Sequence, residues 1–343
     1  MHVTLLVPDL FWPRGDAREA GRELKLPALE LLLARARRQD FPPIGAEAWL
    51  CQAFEVERQQ DWPVAPLTLA HDGGDAGDHY WLRADPVHFA AHRDRLTLID
   101  TPALKPGAED AAEFISLFNR HFSGDGLEFL ALHPSRWYVR APGTPRLATR
   151  ELSQAAGRDV AGMLPTGEDG ARWRRTLNEI QMLLHEHPVN QRRESRGELP
   201  INSVWLWGGG RRTAVPGQHF THLAGDYSLA HALASITGTE TVSARAVTDS
   251  RLAANASARL LVVTDTSAAR HGDERAWRQA LEIMERDWLA PLHAALRRRQ
   301  LEGLAIVSLH PRACERFDVT PTDLLKFWRT ARPHSAHAPA GDL

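Results

Sequence analysis

The residues most able to do chemistry in this chain are arginines and acids that stand where apolar runs break off. In Leu199–Arg212, LPINSVWLWGGGRR, the short apolar run Val204-Trp205-Leu206-Trp207 ends in three glycines and two arginines. Backbone without side chains lets a ligand come close, and a guanidinium fork grips carboxylate or phosphate through two parallel hydrogen bonds. The run therefore reads as one wall of an anion pocket at the carboxyl edge of a sheet. A tight turn with a solvated arginine pair is the plainer reading of the same residues. Two further runs end in acids: Val3 to Val7 leads to Asp9, and Arg259 to Thr264 leads to Asp265. His185 and His187 are two apart, which would point them in different directions on a helix and argues against a joint metal site.

The elements that must position these groups are legible as apolar patterns. Pro27 opens an amphipathic helix with Leu29, Leu32, Leu33 and Ala36 on one face. A second helix is expected over Ala46 to Glu57. Tyr80 to His88 and Leu96 to Ile99 read as strands, and Glu109 to Phe122 as a helix. Leu127–Leu132 and Trp137–Arg140 form a hairpin around a Pro-containing turn. Arg136 and Arg140 would then face a bound anion or solvent, and Arg83 a ligand or a salt bridge to Asp85 or Asp100. A long helix over Glu168 to Glu186 buries Trp173, Leu177, Ile180 and Leu184, and His187 and Asn190 fix the turn after it. Asp226 caps a helix that stops at Gly238. Glu274 to Arg298 is a long amphipathic helix, Leu304 to Ser308 a strand, and Pro321 to Arg329 a short helix.

These patterns predict an α/β fold, with a mainly parallel sheet flanked by helices and an inserted α+β domain. The core domain is expected over 1–71 and 161–330, the insertion over 72–160, and a disordered tail over 331–343. The glycine- and aspartate-rich stretch Ala70–His79 marks the first crossing.

Composition narrows the function classes. The 343 residues are 43% apolar and 24% charged with a formal net charge of −2, ordinary globular usage without a field to hold nucleic acid. Cys51 and Cys314 are too few for a disulfide framework. No apolar run approaches the ~18 residues of a membrane span, and no signal pattern precedes the first strand. The expectation is a cytoplasmic protein with neither a nucleic-acid nor a membrane partner.

The stretch HPVNQRRESRGELPINSVWLWGGGRR resembles a segment of archaeal-type cofactor-independent phosphoglycerate mutases, members of the alkaline-phosphatase superfamily. The chain is still more similar to bacterial regulatory proteins of RpfE type, a branch of the same superfamily. The resemblance is concentrated near 81–100, 127–140 and 178–212, with a weaker echo over 260–310. It implies an alkaline-phosphatase-like fold and carries the family's roles onto particular positions. Arg83, Arg136, Arg140, Asn190, Asn202 and Arg211 become candidate binders of the substrate's acid groups. Asp9, Asp265, His271 and His310 become vestigial ligands for a weakly bound divalent metal, manganese or zinc, if any is held. The departures matter as much. Asp9 is followed by Leu10 where the family has glycine, the Asp265–His271 spacing is two residues longer, and Leu309 replaces a ligating aspartate. The serine that takes the phosphoryl group in the family has no counterpart, since Asp9 to His79 contains no serine and Thr68 is its only threonine. Two-metal phosphoryl transfer needs that nucleophile and about six ligands around ions ~3.5–4 Å apart. The sequence therefore points to a catalytically degenerate, regulatory or ligand-binding protein for a small phosphorylated or carboxylic acid. The alternatives are an active metal-dependent phosphomutase or phosphatase with a rearranged site, and a protein–protein scaffold.

Overall fold

The computed structural model describes residues 1–343 apart from 14–16, 22, 93–94, 218, 244–256, 265 and 340–343, and apart from the side chains of 17, 18, 92, 102 and 267. In chain order the strands are β1 (His2–Pro8), β2 (Arg37–Phe41), β3 (Tyr80–His92), β4 (Arg95–Ile99), β5 (Glu128–His133), β6 (Arg136–Ala141), β7 (Ser203–Gly210), β8 (His222–Ala224), β9 (Glu240–Thr241), β10 (Arg259–Val263), β11 (Gly303–Leu309) and β12 (Cys314–Val319). They fall into two compact units, Met1–Phe54 with Gly217–Leu343, and Glu55–Pro216.

The first unit is built on a seven-stranded sheet of order β2-β12-β11-β1-β10-β8-β9. β1 lies between β10 and β11, parallel to both, and β10, β8 and β9 continue in parallel. Only β12 runs against the others, pairing antiparallel with β11 and with the edge strand β2. Parallel strands covered on both faces need uninterrupted apolar sequence, and β1, β10 and β11 supply it: Leu5, Leu6, Val7, Leu260, Val262 and Ile306 are fully buried. The Pro27–Arg35 helix lays Leu29, Leu32 and Leu33 on this core, as its spacing predicts. Glu285 caps it from far along the chain, accepting from the backbone N–H of Ala28 at 2.7 Å and Leu29 at 3.1 Å. That carboxylate sits where a helix start favours negative charge. The long helix expected over Glu274–Arg298 is continuous but contains a π turn, Glu285–Leu289. Pro291 lacks the N–H that would bond to residue 287, and the wider turn absorbs the defect.

The second unit is an antiparallel sheet of order β4-β3-β6-β5, with β7 pairing β3 over Trp81–Val87, ahead of the stretch of β3 that pairs β4. The 128–141 hairpin is present as expected. Here the sequence expectation needs its main correction. Val204–Trp207 was expected in the parallel sheet, yet β7 pairs antiparallel with β3 from Val87 to Trp81. With it come the Gly170–Leu184 helix, whose Trp173, Leu177, Ile180 and Leu184 join the core of this unit, and the Val64–His71 helix. The compact unit is thus 55–216 instead of 72–160. An apolar run specifies burial, not which sheet will receive it.

The tail is also corrected for residues 331–339. A 3-10 turn, His334–His337, follows β12, and His334 is only 1% exposed. Its ring stacks on Phe11 at 6.2 Å and lies 5.9 Å from Trp277. The expected helix over 321–329 is reduced to one turn, Asp323–Leu325. The helix that follows Asp226 starts at Ser228 with no side-chain cap.

Candidate functional site

At the carboxyl edge of the first unit's sheet, the segments leaving β1, β8, β10 and β11 deliver polar residues, the usual place for a ligand in an open α/β sheet. Asp9 follows β1 with φ 56°, 5% exposed, and its backbone N–H donates to Leu309 O at 2.8 Å. Trp277 Nε1 donates to Asp9 O at 2.9 Å. The backbone is thus held from two sides in a left-handed conformation that disfavours residues with a side chain. Arg270, from the 3-10 turn Ser267–His271, donates through Nε to Asp9 Oδ2 at 2.9 Å. Its side chain is 12% exposed. Burial opposes the guanidinium charge, but Asp9, with Tyr227 and Glu47 behind it, holds the charged form well above the usual arginine range. Glu47, in the first turn of the Ala46–Ala53 helix, accepts from Tyr227 Oη at 2.8 Å. His310 follows β11, 5% exposed, and its Nδ1 accepts from Arg312 N at 3.2 Å.

The cluster is therefore Asp9, Arg270, Tyr227 and Glu47, with two carboxylates and one fixed cation. Arg270 stands next to His271 in the sequence, but its pairing with Asp9 spans 261 residues and leaves no local signal. Glu47 and Tyr227 were likewise not legible beforehand. Of the sequence-expected metal ligands, Asp9 is closed by Arg270, and Asp265 lies outside the described residues. Among the described residues no three His, Cys, Asp or Glu side chains gather as they would around a metal ion. Among the described residues the donors are sparse for the two-metal centre that the sequence resemblance implies. The Arg270 guanidinium engages one oxygen of the Asp9 carboxylate, for which a cation would have to compete.

The expected anion-binding residues lie in the second unit and do not converge. Arg83, 4% exposed on β3, closes its fork on Asp85, with Nη2 at 2.7 and 2.9 Å from the two oxygens and Nε at 3.0 Å. Of the two sequence readings for Arg83, the salt bridge to Asp85 is the one observed. Its guanidinium is stacked between the rings of Tyr138 and Trp207, 5.3 and 5.2 Å away. Trp207 Nε1 and Trp137 N complete the shell of Asp85 at 2.8 and 3.3 Å. Arg136 grips Asp72 through Nε at 2.8 Å and Nη2 at 2.5 Å, with Tyr138 Oη donating to the same carboxylate at 2.6 Å. Burial works against Asp72, yet Arg136 and Tyr138 keep its carboxyl below the usual range. Arg140 pairs with Glu128 at 2.9 Å on the surface. Arg211 donates to Thr144 Oγ1 at 2.8 Å and to the Asp78 carbonyl.

Asn190 is a turn-fixing residue. It donates to Leu184 O and Ile201 O at 2.9 and 2.8 Å and accepts from Ile201 N at 2.8 Å. Asn202 bonds both backbone groups of Phe89, at 2.7 and 3.0 Å. The glycine run is a packing device. A Cβ on Gly209 would stand 2.5 Å from Tyr80 Oη, and one on Gly210 2.6 Å from Pro63 Cβ. Gly208 has φ 64° besides, a left-handed conformation that favours glycine. The wall expected to cradle an anion is filled by the protein itself.

No protein-family model matches the chain. It is 26% identical over 193 residues to a probable 2,3-bisphosphoglycerate-independent phosphoglycerate mutase of Geobacter sulfurreducens, a match spanning 54% of this chain and 47% of that one. A 63-residue stretch is 40% identical to the 2,3-bisphosphoglycerate-independent phosphoglycerate mutase of Methanothrix thermoacetophila, 18% of this chain and 16% of that one. Each match thus covers less than half of the curated relative. Among solved structures, the PH0037 protein of Pyrococcus horikoshii aligns over 93% of this chain and 87% of its own with a TM-score of 0.52 at 13% identity, a likeness of fold. The architecture is the mainly parallel α/β arrangement of alkaline-phosphatase type, and in sequence the chain is similar to cofactor-independent phosphoglycerate mutases.

Proposed function

We propose that this chain is a catalytically degenerate, phosphoglycerate-mutase-like protein that acts by binding, in a regulatory role, and not by phosphoryl transfer. The observation that carries the reading is the Asp9–Arg270 pair at 2.9 Å. A guanidinium held by a buried carboxylate supplies one positive charge that cannot be exchanged, dissociated or made into a Lewis acid. Sequence adds a second argument, because no serine lies between Asp9 and His79 to accept a phosphoryl group. The ligand class, a small phosphorylated or carboxylic acid, comes from the resemblance to mutases. The regulatory role comes from the resemblance to RpfE-type proteins.

The test is metal content and mutase activity on one preparation of the full chain. The expected result is less than stoichiometric manganese or zinc and no interconversion of phosphoglycerates with either metal added. Stoichiometric metal together with turnover that disappears in His310→Ala would overturn the reading and establish an active enzyme with a rearranged site.

A further inference from the structure

Beyond β12 the chain presents three large apolar side chains to solvent: Leu325, Phe327 and Trp328 are 66, 79 and 67% exposed. They are not on a loose strand of chain. Asp323 accepts from Thr320 N and Oγ1 at 2.9 and 2.7 Å and from Lys326 Nζ at 2.5 Å. Leu324 between them is buried in the first unit's core. Arg329 Nη1 donates to Ala36 O at 3.0 Å and ties down the far end. The Phe327 and Trp328 rings meet edge to face at 5.3 Å. Such a braced turn holds its rings outward at little conformational cost.

The rings stand on a stretch that carries exposed positive charge. Arg329 and Arg332 are exposed on the same segment, and Arg37 is exposed beside Ala36. Two acids of the same stretch are already engaged: Asp323 by Lys326, and Asp318, which faces Arg37 across β12 and β2, by Arg316 at 2.9 Å. Like charge disfavours a second copy of the same patch. Three protruding side chains at this exposure offer roughly 400 Å², about half of the ~800 Å² per partner that a stable protein interface takes. A fluid interface needs no matching surface, and aromatic rings ringed by cations suit the headgroup layer of an anionic bilayer.

We propose that the Leu325–Arg332 turn is a peripheral contact for an anionic lipid surface, with Leu325, Phe327 and Trp328 entering the headgroup layer and Arg37, Arg329 and Arg332 meeting lipid phosphates. Among the described residues no helix is long and apolar enough to cross a membrane, and a surface contact needs none. The sequence expectation of no membrane partner rested on spanning runs alone.

The experiment is co-sedimentation of the full chain with phosphatidylcholine vesicles and with vesicles of phosphatidylcholine and phosphatidylserine in about a two-to-one ratio. Binding at least about tenfold tighter to the anionic vesicles is expected, falling about tenfold in Phe327→Ser/Trp328→Ser and in Arg332→Glu. Because these side chains are exposed, circular dichroism and melting of both variants should match the parent. No sedimentation with anionic vesicles at low salt overturns the proposal. So does binding that ignores the Phe327 and Trp328 substitutions, which would be charge attraction alone. A dimer that Phe327→Ser/Trp328→Ser dissolves in light scattering, without vesicle binding, overturns it in favour of self-association.

Discussion

Removing the carboxyl of Glu315 should uncover a pH dependence of stability that the intact protein cancels internally. Glu315, on β12, has a fully buried side chain, and burial raises its carboxyl from the usual 4.5 to about 7, with Arg38 opposing and Asp40 adding to the rise. His334 is the mirror case. Burial between Phe11 and Trp277, with Arg278 and His337 nearby, lowers its imidazole from the usual 6.5 to about 4. Between pH 4.5 and 6.5 the folded chain keeps a proton on Glu315 that the unfolded chain has lost, so stability falls as pH rises. Over the same interval the unfolded chain carries a proton on His334 that the folded chain refuses, so stability rises with pH. Each slope has a ceiling of about 1.4 kcal/mol per pH unit, one proton's worth. The two oppose each other, and the intact protein should be nearly flat here as far as this pair is concerned. Urea unfolding across pH 4 to 8 checks it. Glu315→Gln should gain stability with rising pH across this window, by up to about 3 kcal/mol in all, and His334→Phe should lose it with the opposite sign. Parallel pH profiles for Glu315→Gln and the parent would refute the reasoning.

Three further outcomes follow from the packing. Arg270→Ala should destabilise the first unit by about 3–5 kcal/mol, because it strands the buried Asp9 carboxylate, while Arg270→Ala with Asp9→Asn should recover part of the loss in denaturant melts. In the second unit, Arg83→Met alone should cost a similar amount by stranding Asp85, whereas the apolar pair Arg83→Met/Asp85→Leu should be closer to the parent, as measured by thermal unfolding. Gly209→Ala should cost about 1–3 kcal/mol through its clash with Tyr80 Oη. That hydroxyl is buried with no hydrogen-bond partner, so Tyr80→Phe should be tolerated by itself and should relieve part of the Gly209→Ala defect.

What the sequence showed, and where it misled, separates along physical lines. β1, β10 and β11 were legible because parallel strands buried on both faces leave unbroken apolar runs. The Pro27–Arg35 helix was legible because a fixed spacing marks its buried side. The run Val204–Trp207 was read correctly as a buried strand and placed in the wrong sheet, since its partner β3 lies more than a hundred residues upstream and pairing leaves no trace in either run. Its glycines looked like a ligand cradle because a close approach of backbone to ligand and a close approach of backbone to Pro63 and Tyr80 demand the same residue. Arg83 and Asp85, two positions apart on one strand face, could be paired on paper. Asp9 and Arg270 could not, and that is why the centre of the candidate site, unlike its outline, had to come from the structure.

The placement of β1 between β10 and β11 also bears on how the chain comes to be folded. The flanking neighbours are made roughly 260 and 300 residues after β1 itself, which at about 5–20 residues per second is about ten to sixty seconds of translation. During that interval an apolar heptapeptide with unsatisfied backbone on both edges waits in the open, while the Glu55–Pro216 stretch, whose own sheet pairs only within itself, is free to close. A ribosome-bound chain halted before Arg259 should accordingly protect the middle stretch from protease and leave the leading strand sensitive, an order of assembly dictated by topology alone.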